Sequence, residues 1–242
     1  FASTMKTDRA GRRRIYADPE FRSAFKTDSN INARNALAGW AERAVISVAP
    51  AHEEMEERLL VNVAADEGVD PVDLALDLSL ATNFGVRFRF PVVNFIEEEV
   101  EELLQDPNML VALSDAGAHA SQLCDACYST HLLGHWVREK GVLELERAVQ
   151  MLTSRPAEVF GIKDRGVLKV GRPADIVIFD PDTVGAGSLR RVQDLPGGAD
   201  RLVSDAKGID VVMVNGTPIR ESGEETRNGM RLPGRLLRGG AA

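Results

Sequence analysis

The sequence predicts an α/β fold followed by a smaller, mostly antiparallel β part. Three observations carry this. From about residue 44 to 163, short apolar runs alternate with stretches of helical periodicity, which implies a parallel sheet or a piece of a barrel. From residue 164 on, the pattern turns to short strands and turns, as in Asp175-Ile-Val-Ile-Phe-Asp180. Asn215-Gly216 then stands between two apolar runs, the pattern of a hairpin closed by a type I′ turn. Two parts are therefore expected, 1–163 and 164–242, with no internal repeat.

In order, Asp18-Pro-Glu-Phe reads as a helix start with Asp18 as N-cap and Pro19 at the first helical position. Asn30 to Asn35 is loop-like. Arg43-Ala-Val-Ile-Ser-Val-Ala-Pro50 is a strand ended by proline. Glu53 to Ala65 is helical, with Leu59, Leu60 and Val63 on one face, and Gly68 breaks it. Asp70-Pro-Val-Asp73 restarts a helix with Asp70 as cap. Phe88 to Asn94 reads as a strand, despite Pro91. Ile96 to Leu104 is a helix whose Glu97, Glu98 and Glu99 complement the positive end of its dipole. Met109 to Leu113 is a buried strand. Helices follow over Asp125–Lys140, over Leu143–Leu152 and from Pro156 to Gly161. Gly166-Val-Leu-Lys-Val-Gly171 is a short strand, 183–208 a long loop, and the tail from Glu221 a poorly packed strap.

Composition excludes several classes. The 242-residue chain is 44% hydrophobic, enough for a real core, and carries a net charge of -8. That balance argues against nucleic acid as a partner. The basic run Arg12-Arg13-Arg14 reads as a solvated loop. No apolar run approaches the ~20 residues of a membrane span, and the start carries no secretory signal. Two cysteines make no disulfide framework, so a cytoplasmic setting is expected. The chain begins with Phe1 rather than methionine, which predicts that the true start of the protein lies upstream.

Cys124, Cys127, His131 and His135 are soft metal donors spaced 3, 4 and 4 apart. On one straight helix they form a stripe, which cannot wrap an ion tetrahedrally. They are expected to be ordinary helix and core residues. The chemistry is expected instead at Ser114-Asp-Ala-Gly-Ala-His119. A carboxylate and an imidazole just past the carboxyl end of a buried strand sit where α/β folds keep their reacting groups. A reading in which Asp115 only caps the following turn is equally open.

Three segments together carry a resemblance: Leu113-Ser-Asp-Ala-Gly-Ala-His119, Leu152-Thr-Ser-Arg-Pro-Ala-Glu-Val-Phe-Gly161, and Gly166-Val-Leu-Lys-Val-Gly-Arg-Pro-Ala-Asp-Ile-Val-Ile-Phe-Asp180 with Val214-Asn-Gly216 after it. They resemble the C-terminal part of the metal-dependent amidohydrolase superfamily, nearest its N-acyl-D-amino-acid deacylases (D-aminoacylases). Leu123-Cys-Asp-Ala-Cys-Tyr128 and Leu132-Leu-Gly-His-Trp-Val-Arg-Glu139 fit that group too. The resemblance implies the C-terminal part of a (β/α)₈ TIM-type barrel followed by part of a small β domain. It implies hydrolysis of the amide bond of an N-acyl-D-amino acid, with one or two zinc ions in the whole enzyme. Asp115 then matches a zinc ligand and proton shuttle, and His119 a substrate contact. The family's His-x-His pair is absent: the chain has four histidines, at 52, 119, 131 and 135. A full barrel also takes roughly 250 residues on its own. The chain alone is therefore expected to bind zinc weakly and to be inactive. Two other readings stay open: a cyclic-amide hydrolase of the dihydropyrimidinase or hydantoinase kind, and a non-catalytic piece packed on a partner that carries the rest of the barrel. The oligomeric state is open, a homo-oligomer included.

Overall fold

The computed structural model describes residues 4–31, 38–112, 114, 118–226 and 231–237. They form two compact units, 1–100 and 101–242. The fold is mixed α/β.

In the first unit, α1 (Arg9–Ala17) and α2 (Pro19–Ile31) come first. Asp8 caps α1 by accepting from Gly11 N–H at 2.7 Å. The Arg12-Arg13-Arg14 run therefore lies on a helix rather than in the expected loop, because it sits directly behind that cap. Asp18 accepts from Glu20 N–H at 2.9 Å, so α2 begins where the Asp-Pro pair places it. Asn32 to Asn35 of the expected loop lie outside the described residues. After α3 (Trp40–Arg43), β1 (Val45–Val48) pairs with β2 (Arg87–Arg89). The helices α4 (Leu60–Glu67) and α5 (Pro71–Ala81) lie between them in sequence. Ile46, Leu60, Val63, Ala64, Leu74 and Leu78 make the core, with Phe21, Phe25, Trp40 and Phe88 packed against it.

Asp70 accepts from Val72 N–H at 2.9 Å and Asp73 N–H at 3.1 Å. Asp70→Ala is expected to lower stability by about 1 kcal/mol, read from a shifted urea midpoint with an unchanged slope.

The pairing corrects one expectation. Strand–helix alternation predicted parallel strands, yet β1 and β2 are antiparallel, as is every described strand pair. With only two described strands in this unit, antiparallel pairing gives the straighter hydrogen bonds. No closed barrel exists among the described residues. β2 stops before Pro91, which has no N–H for a ladder. The helix expected from Glu53 begins only at Leu60, because Glu57 takes a left-handed φ of 61°. α6 (Glu97–Gln105) forms as expected.

In the second unit, Met109–Ala112 is not a strand. Met109 N–H bonds back to Asp106 O in the turn after α6, and no strand lies beside it among the described residues. A strand without a ladder partner leaves its backbone groups unsatisfied. α7 (Tyr128–His131) continues directly into a π-helical stretch, Leu132–Glu139. α8 (Leu145–Leu152) and α9 (Ser154–Val159) follow. Gly166–Gly171 forms turns instead of the expected strand, with Leu168 74% exposed and Val170 fully so. It too pairs with no strand among the described residues.

The described β elements of this unit form two sheets. β3 (Ile176–Phe179), β6 (Ile209–Val214), β7 (Thr217–Glu221) and the two-residue β8 (Glu224–Glu225) lie in that order, β3 at one edge. Asn215 and Gly216 turn between β6 and β7 with φ of 47° and 76°, the two left-handed residues of the expected hairpin. The supposed loop 183–208 holds a second hairpin, β4 (Gly185–Val192) and β5 (Arg201–Lys207). Its apolar alternation is weak. Exposed ion pairs cross it instead: Arg190 to Asp205 at 3.0 Å, and Arg201 to Asp194 at 2.7 Å.

Candidate functional site

The segment from Ser114 to Cys127 joins the turn after α6 to α7. Asp115, the expected catalytic and metal-holding carboxylate, lies outside the described residues, as do Leu113, Ala116 and Gly117. Ser114 is half-buried.

His119 is exposed and left-handed, with φ of 47°. Its carbonyl accepts from Gln122 N–H at 2.6 Å and from Leu123 N–H at 3.2 Å. The next two residues are tied to the β4–β5 hairpin. Leu202 N–H donates to Ala120 O at 2.8 Å. Arg191 Nη1 donates to Ser121 O at 3.0 Å and meets Asp200 Oδ2 at 2.6 Å. Arg190, Arg191 and Arg201 thus each hold a carboxylate of this chain, which leaves them poorly placed to receive a substrate acid. Sequence reasoning missed this clasp, because nothing in a Gly- and Asp-rich run marks a hairpin.

Both cysteines are half-buried free thiols that precede α7. They share no helix with the two histidines, so the four-residue stripe does not form. Burial pushes the Cys127 thiol above its ordinary range, against a hydrogen bond with Ser204 of β5 that lowers it. Since the thiolate is the nucleophile, iodoacetamide is expected to label Cys127 several-fold more slowly at neutral pH in the folded chain than in urea. The gap closes as pH rises past the raised pKa, as followed by peptide mass spectrometry.

His131 and His135 stack with ring centroids 4.8 Å apart and 14° between planes. His135 Nδ1 lies 3.0 Å from Glu139 Oε2, which holds the Glu139 carboxyl below its usual value. Parallel rings do not converge on one ion. Among the described residues, no three His, Cys, Asp or Glu side chains stand together as a metal site. The described residues alone therefore gather no ligand set for the zinc that the resemblance implies.

A cleft of about 430 Å³ lies elsewhere in this unit. Leu133, Val149, Leu152, Val177, Phe179 and Ile209 line it, together with Arg165 and Asp175, which pair at 2.7 Å. His119 is not among its lining residues. No helix among the described residues is long and apolar enough to cross a membrane.

Comparison with known proteins adds the family. Residues 18–219 match the model of the amidohydrolase family. N-acyl-D-glutamate deacylase of Alcaligenes xylosoxydans xylosoxydans is 34% identical over 195 residues, 77% of this chain and 34% of the relative. D-aminoacylase of the same organism is 30% identical over 188 residues, 77% of this chain and 35% of the relative. A solved N-acyl-D-glutamate deacylase of Bordetella bronchiseptica, complexed with zinc and a phosphonate inhibitor, is 29% identical. It matches over 76% of this chain and 35% of that one, with a TM-score of 0.39. The chain spans about a third of the length of the relatives it matches. With the family model matched over most of its residues, this chain belongs to the amidohydrolase family.

Proposed function

We propose that this chain is the C-terminal portion of a metal-dependent hydrolase that cleaves the amide bond of N-acyl-D-amino acids in the cytoplasm. The observation that carries the reading is the match over 77% of the chain to N-acyl-D-glutamate deacylase, with the Ser114-Asp-Ala-Gly-Ala-His119 segment in the middle of the chain. Asp115 is the acid–base group in this reading. A carboxylate there takes a proton from the attacking water and gives it to the leaving amine. His119 touches the substrate at the same mouth. The last strands of a (β/α)₈ barrel and part of its β domain are this chain's share of the fold.

The relatives' zinc belongs to the proposal as well, with Asp115 as one of its holders. A catalytic zinc takes about three protein ligands. The described residues gather no such set, and the remaining ligands fall to residues outside them.

The test is complementation. The chain is mixed with the part of N-acyl-D-glutamate deacylase that the match leaves uncovered, with zinc supplied. Release of free amino acid from N-acetyl-D-glutamate and its L-isomer is then followed. The chain alone is expected to release none, and the mixture to hydrolyse the D-isomer selectively. A mixture that stays inert overturns the deacylase reading. It favours a chain that serves only to assemble with a partner, to which the exposed Val177 and Ile178 on the edge strand β3 point.

A further inference from the structure

His119 is one of eight residues outside glycine with a left-handed backbone among the described residues. That conformation is uncommon for such residues, and it persists only where surrounding contacts over-determine it. Here the contacts are visible. Two come from its own turn, Gln122 and Leu123 N–H to His119 O. Two come from the hairpin, and both arise from a single cross-strand pair, because Arg191 of β4 stands opposite Leu202 of β5. Leu202 gives its backbone N–H to Ala120 O, and Arg191 gives a guanidinium N–H to Ser121 O. Asp200 holds Arg191 in that pose, and the two side chains are only 23% and 29% exposed. The two residues after His119 are therefore fastened to a rigid two-stranded ribbon, while its imidazole faces solvent.

We propose that Arg191 is a positioning residue that acts through His119. With Asp200 and Leu202 it clasps residues 120–121 and so sets the left-handed turn that aims the imidazole. The importance of that aim for turnover rests on the deacylase reading; the clasp itself does not. A guanidinium suits this place because it spreads several N–H donors in a fixed plane. One can meet the Ser121 carbonyl and the Asp200 carboxylate together.

The test uses the whole chain, labelled for NMR. Arg191→Ala is expected to speed amide exchange at Gln122 and Leu123 about fivefold, the loss of one ordinary hydrogen bond, and to move the His119 ring resonances. Amides of α8 and of the β6–β7 hairpin stay unchanged. Arg191→Lys, which keeps the charge beside Asp200, restores part of the His119 shift. Unchanged exchange at 122–123 with an unmoved His119 ring overturns the proposal. So does a uniform rise across β4 and β5, which makes Arg191 merely a support of the hairpin. If Arg191→Ala unfolds the chain, Asp200→Asn decides by the same two readouts. These readouts need no turnover, so an inert complementation mixture with a displaced His119 ring removes the deacylase reading and leaves the clasp standing.

Discussion

Asp115→Asn is expected to lower turnover of N-acetyl-D-glutamate by the complemented enzyme roughly 10²- to 10⁴-fold, the usual worth of a positioned acid–base group. The substitution is nearly isosteric; it removes the ability to carry a proton together with the negative charge. If Asp115 both takes the proton of the attacking water and hands it to the departing amine, both transfers fail together. KM is expected to change much less than kcat, since an interaction made only in the transition state shows in kcat. Zinc content of the same sample separates lost proton transfer from lost metal. Asp115→Ala with added formate is the companion measurement. Partial recovery identifies the missing group as a carboxylate. Equal turnover by Asp115→Asn and the unaltered chain assigns Asp115 to the bland role, the cap of a turn.

Gly208→Ala is expected to cost about 3 kcal/mol of stability. Gly208 has φ of 65°, and a methyl there would stand 2.4 Å from Val184 N and 2.6 Å from Val184 Cα. A left-handed alanine costs about 1–2 kcal/mol, and overpacking adds about 1–3 kcal/mol. The backbone has no room to yield. Gly208 O accepts from Asp180 N–H at 2.9 Å, while Val184 N–H is held by Asp180 O. Val184 is 1% exposed, and Gly134 presses on it from the π-helical stretch, where a Cβ would lie 2.7 Å from Val184 O. Melting of this unit should fall by roughly 10 °C. Gly141→Ala is the control, because Gly141 has φ of 64° with open space around it. Its cost should be the backbone term alone, about 1–2 kcal/mol. Equal losses in the two variants refute the steric argument.

What could be read from the residues follows a physical line. Caps and turns are local chemistry, so Asp18-Pro19, Asp70-Pro71 and Asn215-Gly216 announced α2, α5 and the β6–β7 turn. Strands are not local, because they exist only where another strand meets them. Met109–Ala112 and Gly166–Gly171 have strand composition but pair with no strand among the described residues, and they are irregular. The β4–β5 hairpin has a neighbour and little apolar alternation, so it passed for a loop. The family was legible because three short segments keep a fixed order. The residues that fasten Ala120 and Ser121 were not, since Arg191 lies 70 positions from the carbonyl it meets.

The border position of β3 has a last consequence. An apolar strand with an open flank invites other chains to add to it, the first step of aggregation. Asp175 and Asp180 bracket Ile176–Phe179. Were two copies to join antiparallel along this flank, Asp175 of one would stand opposite Asp180 of the other, and directly opposed like charges destabilise such a pair, a repulsion that the Arg165 paired with Asp175 offsets in part. The two acids thus act as gatekeepers, biasing the flank against copies of itself while leaving it open to a strand of different sequence.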